Sequence, residues 1–436
     1  MFPPGWGFLP TTSAMFQRMQ HDLEEMQERF GALFKTMLAA RPGTIGRTPA
    51  ETVYTEHNVR LLHYRPTVAE PHPVPLLIVP SVIKRALILD LAPGRSLVEH
   101  LVGQGLDVYM IDWGKAGPEQ RSVTLDQYVV GYLRRVVQHV HRRSGQSRIN
   151  LLGYSLGGTL TAIFSALYGR YVQSLVQLAA PINFHDEGLI SQWTRPERFN
   201  VDLIVNTLST MPLELMRASL RMLQPTAQIM QQIALAERFG DTHAIQDLLA
   251  MQVWMSDMAL LPGEAYRTFI KECYQANHLV QGKLVIGGQR VDLRRIDQPL
   301  LTIAASGDRI CPPRSVAALN EHVASADRQV LEIPGGHIDL VVSSDVTGQL
   351  WPQISAWLIA RSAVAEATDA AMPELEQDAM PAAEPSAAPE AARSAAANQA
   401  QAAHERAPKQ PSRPRGGRRN KNQAGDTSEA FDQPDR

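Results

Sequence analysis

An α/β fold is predicted for the central part of this chain: a mostly parallel sheet with helices on both faces and a helical cap inserted into it. Three observations lead there. Short, nearly continuous apolar runs recur between residues 45 and 361 and alternate with helix-like segments, as strands buried on both faces do. The late runs each end at a polar loop, where a parallel sheet gathers its working residues. Between Pro181 and Gly288 the strand pattern stops and a helical stretch rich in Met, Leu and Trp takes over.

The elements follow in order. Residues 1–44 form an N-terminal extension that opens on a Pro, Gly and aromatic segment. In its helix Met19, Leu23, Met26, Phe30, Leu33 and Met37 recur at alternating steps of four and three, an apolar seam. The seam is shorter than a free coiled coil usually needs. It is expected either to pack on the chain's own domain or to dock to a helix of a partner subunit or a second copy. Methionine re-packs easily and favours an adaptable contact. Glu51–His57 and Asn58–Tyr64 read as a hairpin, and residues 75–80 as a buried strand leading into the loop Ser81–Arg85. Asp107–Asp112 is the next strand, and Thr124–Arg143 a long amphipathic helix. Ile149–Gly153 is a strand entering a tight turn. Val172–Ala180, Leu300–Ala305 and Gln329–Ile333 complete the strands. The cap spans about residues 182–288. Placed directly after the strand at 172–180, it is expected to cover the site, and its apolar residues either form its own core or line an acyl pocket. Residues 362–436 are dominated by Ala, Pro, Glu and Gln. They hold too little apolar surface to offset their ordering entropy, so a disordered tail is expected. The basic cluster Arg406, Lys409, Arg413, Arg415, Arg418, Arg419 and Lys421 reads as a solubilising run, with weak charge-only contact to nucleic acid or an anionic surface as the alternative.

Composition narrows the class. A net charge of −2 over 436 residues excludes a chain that is basic or acidic as a whole. Two cysteines, Cys273 and Cys311, are too few for a disulfide framework and suit a reducing cytosol. The first residues lack a basic segment followed by an apolar core, and no run approaches the length of a membrane span, so a cytoplasmic protein is expected.

The chemistry concentrates at Gly153-Tyr154-Ser155-Leu156-Gly157, set between a strand and a small-residue helix. This is the context of a nucleophile elbow, whose turn is so tight that side chains at Gly153 and Gly157 would strike the neighbouring helix and strand. A serine hydroxyl needs a base to attack a carbonyl, and histidine needs an acid to orient its other nitrogen. In this architecture the order is Ser, acid, His. Asp308 follows the strand Leu300–Ala305, and His337 follows Gln329–Ile333 on a Gly-Gly loop. Ser155 is therefore assigned as nucleophile, His337 as general base and acid, and Asp308 as orienting carboxylate. Asp339 and Glu332 sit too near His337 in sequence to support its ring well. The oxyanion donors are expected to be the backbone N–H of Leu156 and one from Val82 or Ile83. Lys84 and Arg85 flank that loop and read as a solvated basic pair, with phosphate contact as the alternative. Cys311 reads as a small buried residue rather than a second working thiol. No metal set and no bound cofactor are expected.

With these residues in hand, residues 46–361 resemble the polyhydroxyalkanoate synthase family of the α/β-hydrolase superfamily, most closely its class III catalytic subunit. The resemblance is carried by residues 47–54, 87–91, 107–114, 149–153, 282–288 and 334–338, in the family's order. It implies an enzyme that joins (R)-3-hydroxyacyl groups from coenzyme A thioesters into a polyester, with a separate non-catalytic subunit as partner and the polymer granule surface as location. Its triad maps onto position 155, Asp308 and His337. At 155, however, the family carries cysteine where this chain has serine, and Arg309 stands where class III members usually have histidine. A serine would hold the acyl group as an oxygen ester, a lower-energy species for which water competes as acceptor. Three functions are expected in consequence: a serine-variant synthase, a hydrolase of hydroxyalkanoate esters or thioesters, or a non-catalytic granule- or synthase-binding subunit. An intact Ser/Asp/His set argues against the last.

Overall fold

The computed structural model describes residues 46–362, apart from 118–119, 224–249, 252, 256 and 260, together with His21 and Glu24, which are helical. The N-terminal apolar seam, the tail from residue 363 with its basic cluster, and the middle of the inserted segment lie outside the described residues.

Eight strands form the main sheet: β1 (Glu51–Glu56), β2 (Val59–Tyr64), β3 (Leu76–Val79), β4 (Val108–Asp112), β5 (Ile149–Tyr154), β6 (Val172–Leu178), β7 (Leu300–Ala305) and β8 (Arg328–Ile333). Their spatial order is β1-β2-β4-β3-β5-β6-β7-β8. β1 and β2 pair antiparallel, as do β2 and β4, and every other pairing is parallel. The fold is that of an α/β hydrolase. Strand order reverses around β3, so the loops after β3 and β5 open at the switch point where such sheets collect ligands.

The apolar runs are continuous because each face of the sheet is covered. Leu61, Leu77, Leu151 and Leu175 join Val136, Val137 and Val140 of helix α1 (Arg134–Ser144) and Ile163 and Phe164 of α2 (Leu156–Tyr168). Their sequence neighbours Leu76, Ile78, Leu152 and Val176 point the other way, onto Ile354 and Leu358 of α3 (Ser344–Ala360). The period of two along each strand thus divides the core into two layers. β8 is one of the two edge strands, and Arg328, Gln329 and Glu332 on it are exposed, as suits an edge that must not recruit another. Asn150, fully buried between strands, donates to Ser362 Oγ at 3.0 Å and accepts from Ser174 Oγ at 2.7 Å, so its burial leaves no polar group unpaired.

Three local features depart from the sequence expectation. The long helix begins as a wider π-helical stretch, Gln127–Leu133, before α1, with Tyr128 edge-on to Trp113 at 5.3 Å. A two-stranded ribbon, Asp90–Ala92 with Arg95–Ser96, turns through Gly94 at φ 72°. The inserted stretch ends in a second ribbon, Val285–Ile286 with Gln289–Arg290, so it is not wholly helical.

Candidate active site

The turn between β5 and α2 holds Ser155 at φ 54° and ψ −130°, a conformation non-glycine residues rarely adopt. Two hydrogen bonds fix it: Ser155 N–H to Leu178 O at 2.9 Å and Gly158 N–H to Ser155 O at 2.8 Å. A Cβ on Gly157 would stand 2.0 Å from Val79 O of β3, and one on Gly153 would stand 2.4 Å from Gly158 Cα. The neighbours are backbone, so neither glycine can be replaced without moving a strand or a helix. Gly158 belongs to the same set, because its Cβ would lie 2.2 Å from the Ala180 Cβ.

Asp308 and His337 hang from the ends of β7 and β8. Their loops are tied together by Ser306 N–H to Ile333 O at 2.9 Å and Gly307 N–H to Gly335 O at 2.8 Å. His337 Nδ1 and Asp308 Oδ2 are 2.7 Å apart, with both side chains almost fully buried. The other carboxylate oxygen, Oδ1, accepts the N–H groups of Ile310 at 2.8 Å and Cys311 at 2.9 Å. Asp308 is thus held at both oxygens. Asp339 is occupied elsewhere, accepting from Gly336 N–H at 2.6 Å, and Glu332 is exposed on edge strand β8. Tyr154, the residue before Ser155, stacks against the His337 ring at 5.4 Å and 30°. Its full burial pushes its phenol well above the usual range.

The loop after β3 is pinned from both sides. Trp113 Nε1 donates to Pro80 O at 2.9 Å, while Ala259 N–H from the inserted segment donates to Ile83 O at 3.0 Å. The Ile83 N–H faces Ser81 Oγ at 3.4 Å, whereas Val82 N–H has no partner among the described residues. Trp254 Nε1 donates to Arg85 O at 3.0 Å, and Lys84 Nζ donates to Met255 O at 2.7 Å and lies 4.8 Å from the Trp254 ring centre. Arg85 pairs with Asp112 at 3.1 Å and Asp257 at 3.8 Å, and Lys115 reaches Asp257 at 2.5 Å. Lys84 and Arg85 are therefore not the solvated pair expected from sequence: they clasp residues 254–259 onto this loop. Burial, then Arg217, lowers the Lys84 pKa to about 8, against the opposing pull of Asp257.

Cys311, read from sequence as a small buried residue rather than a second working thiol, is buried but stands at the site. Its sulfur, His337 and Asp308 place one ligand-type atom each within 4.8 Å of one another, all three residues buried. Burial, then the charges of Asp308 and Asp186, pushes the thiol pKa well up, and the neighbouring Ser155 hydroxyl acts the other way. The only signal for it was its place three residues after the acid. Asp308 already holds His337 Nδ1, so the trio is arranged for proton handling rather than as a ready metal cage. No helix among the described residues is long and apolar enough to cross a membrane.

Residues 12–101 match the model described as poly-beta-hydroxybutyrate polymerase (PhaC) N-terminus, and residues 75–208 match the alpha/beta hydrolase fold. Among curated proteins, the poly(3-hydroxyalkanoate) polymerase subunit PhaC of Haloferax mediterranei is 36% identical over 81% of this chain and 73% of its own length. That of Allochromatium vinosum is 34% identical over 79% of this chain and 98% of its own. The Synechocystis protein is 36% identical over 73% and 86%.

Proposed function

We propose, from the premise that this chain belongs to the PhaC family of poly(3-hydroxyalkanoate) polymerases, that it is an acyltransferase working through Ser155, His337 and Asp308 on (R)-3-hydroxyacyl-coenzyme A. The observation that carries the residue assignment is the buried 2.7 Å His337–Asp308 pair beside a serine at φ 54° on an elbow. His337 takes the Ser155 proton as Oγ attacks the thioester carbonyl, then gives it to the departing coenzyme A thiolate. Asp308 fixes the imidazole tautomer and stabilises the imidazolium. The backbone N–H groups of Leu156 and Val82 receive the oxyanion; Val82 is preferred to Ile83, whose N–H faces Ser81. The hydroxyl of a further hydroxyacyl unit then attacks the ester, the acyl carbon–Oγ bond breaks, His337 passes the hydroxyl proton back to Ser155 Oγ, and the chain is lengthened. Residues 254–259 act as part of the cap that keeps water from the ester.

Ser155 itself favours a second reading. An oxygen ester lies below a thioester in energy, so water as acceptor would make the chain a hydrolase of hydroxyalkanoate esters. Incubating the full chain with 3-hydroxybutyryl-coenzyme A while following both coenzyme A release and polymer separates the two. Polymer is expected, and free acid alone identifies the hydrolase. Ser155→Ala should cut either activity by on the order of 10³-fold or more. Activity within a few-fold of wild type would remove the assignment.

A further inference from the structure

Resting on that reading, we propose that Cys311 is a second acyl carrier of this site, taking the acyl group from coenzyme A as a thioester and passing it to Ser155. Cys311 is not an isolated thiol. It follows the acid on the same loop, and its own N–H donates to Asp308 Oδ1 at 2.9 Å. Its sulfur shares the 4.8 Å cluster with His337 and Asp308 and neighbours the Ser155 hydroxyl. One imidazole therefore serves two nucleophiles. The other cysteine, Cys273, is fully buried in the apolar core with Phe269 and Ile270 and has no such cluster among the described residues.

The chemistry is balanced at each step. In loading, His337 takes the Cys311 proton as Sγ bonds to the acyl carbon. The carbon–sulfur bond to coenzyme A breaks, and the proton goes to the departing thiolate. In transfer, Ser155 Oγ attacks the Cys311 thioester, the carbon–sulfur bond breaks, and the Ser155 proton passes through His337 to Sγ. No oxidant or reductant is needed. The first exchange is between two thiols and nearly even in energy. The second runs downhill from thioester to ester, which fixes the direction. Burial holds the thiol protonated at rest, so it depends on the base as the serine does, yet sulfur remains the more nucleophilic atom of the two.

The test quenches the full chain in acid shortly after mixing with radiolabelled 3-hydroxybutyryl-coenzyme A, then maps labelled peptides. In Ser155→Ala the label should accumulate on the peptide carrying Cys311 and be released by neutral hydroxylamine, as a thioester is. In Cys311→Ala the early burst of coenzyme A release should slow about tenfold or more, with an ester still forming slowly on Ser155. The trapping experiment leaves Cys311 intact, so it stands even if Cys311→Ala folds poorly. No label at Cys311 in Ser155→Ala, with a burst within about twofold of wild type in Cys311→Ala, overturns the proposal. If Ser155 of the wild type is then labelled, the acyl-transfer reading survives without the thiol. Turnover with no adduct at either residue overturns both.

Discussion

On the proposed assignment, oxygen in place of sulfur at position 155 changes the fate of an acyl-enzyme more than its formation, because the same imidazole would serve either atom. Ser155→Cys should therefore raise polymer formed from hydroxyacyl-coenzyme A relative to free acid, since a cysteine thioester stays activated toward a nearby hydroxyl. A cysteine variant that makes no polymer, beside a wild type that hydrolyses esters well, would mark a hydrolase on a polymerase scaffold. The two carboxylates near His337 separate as cleanly. Asp308→Asn admits the wrong imidazole tautomer and should cost on the order of 10³-fold or more in kcat with the melting temperature nearly kept. Asp339→Asn weakens only a loop contact to Gly336 and should leave turnover within a few-fold. The reverse ranking would reassign the acid. Ser155, Asp308 and His337 were legible because each occupies a loop directly after an apolar strand. Tyr154 was not, because the motif leaves its place unspecified and only the fold brings the His337 ring against it.

Among elements, the clasp between the loop after β3 and residues 254–259 makes a testable electrostatic claim. The Lys84 pKa is lowered from 10.5 to about 8, so between these values the unfolded chain binds the proton and the folded one does not. Stability contributed here rises with pH across that window, and the penalty is fully present below about pH 8. Lys84→Met should remove this part: the difference in unfolding midpoint between variant and wild type should shrink as pH climbs from 8 toward 10.5. A difference independent of pH would show that the ammonium is no harder to charge in the fold than in water. The strands themselves could be read in advance, since burial on both faces writes itself as unbroken apolar runs. The clasp could not. It depends on where a remote segment lands, and Lys84 and Arg85 look like any surface pair until Trp254 and Asp257 are seen beside them. Nor does composition distinguish the π-helical Gln127–Leu133 from an ordinary helical turn.

For the whole molecule, residues 46–362 supply both apolar layers described against the sheet, and residues 363–436 offer few large apolar side chains. Deleting residues 363–436 should accordingly leave the catalytic rate and the thermal midpoint almost unchanged. A midpoint lowered by many degrees would show that the tail packs. The overall architecture was open to sequence reasoning because alternating strands and helices admit few parallel arrangements, whereas the strand order had to be seen. That order carries a consequence for how the protein is made. On the ribosome, β5 and the serine at its tip emerge long before β7 and β8, which bring Asp308 and His337. A nascent chain thus exposes a hydroxyl no more reactive than any other until its last strands dock. On the proposed assignment, reactivity is switched on only by completion of the sheet, and a prematurely terminated copy carries its serine unarmed.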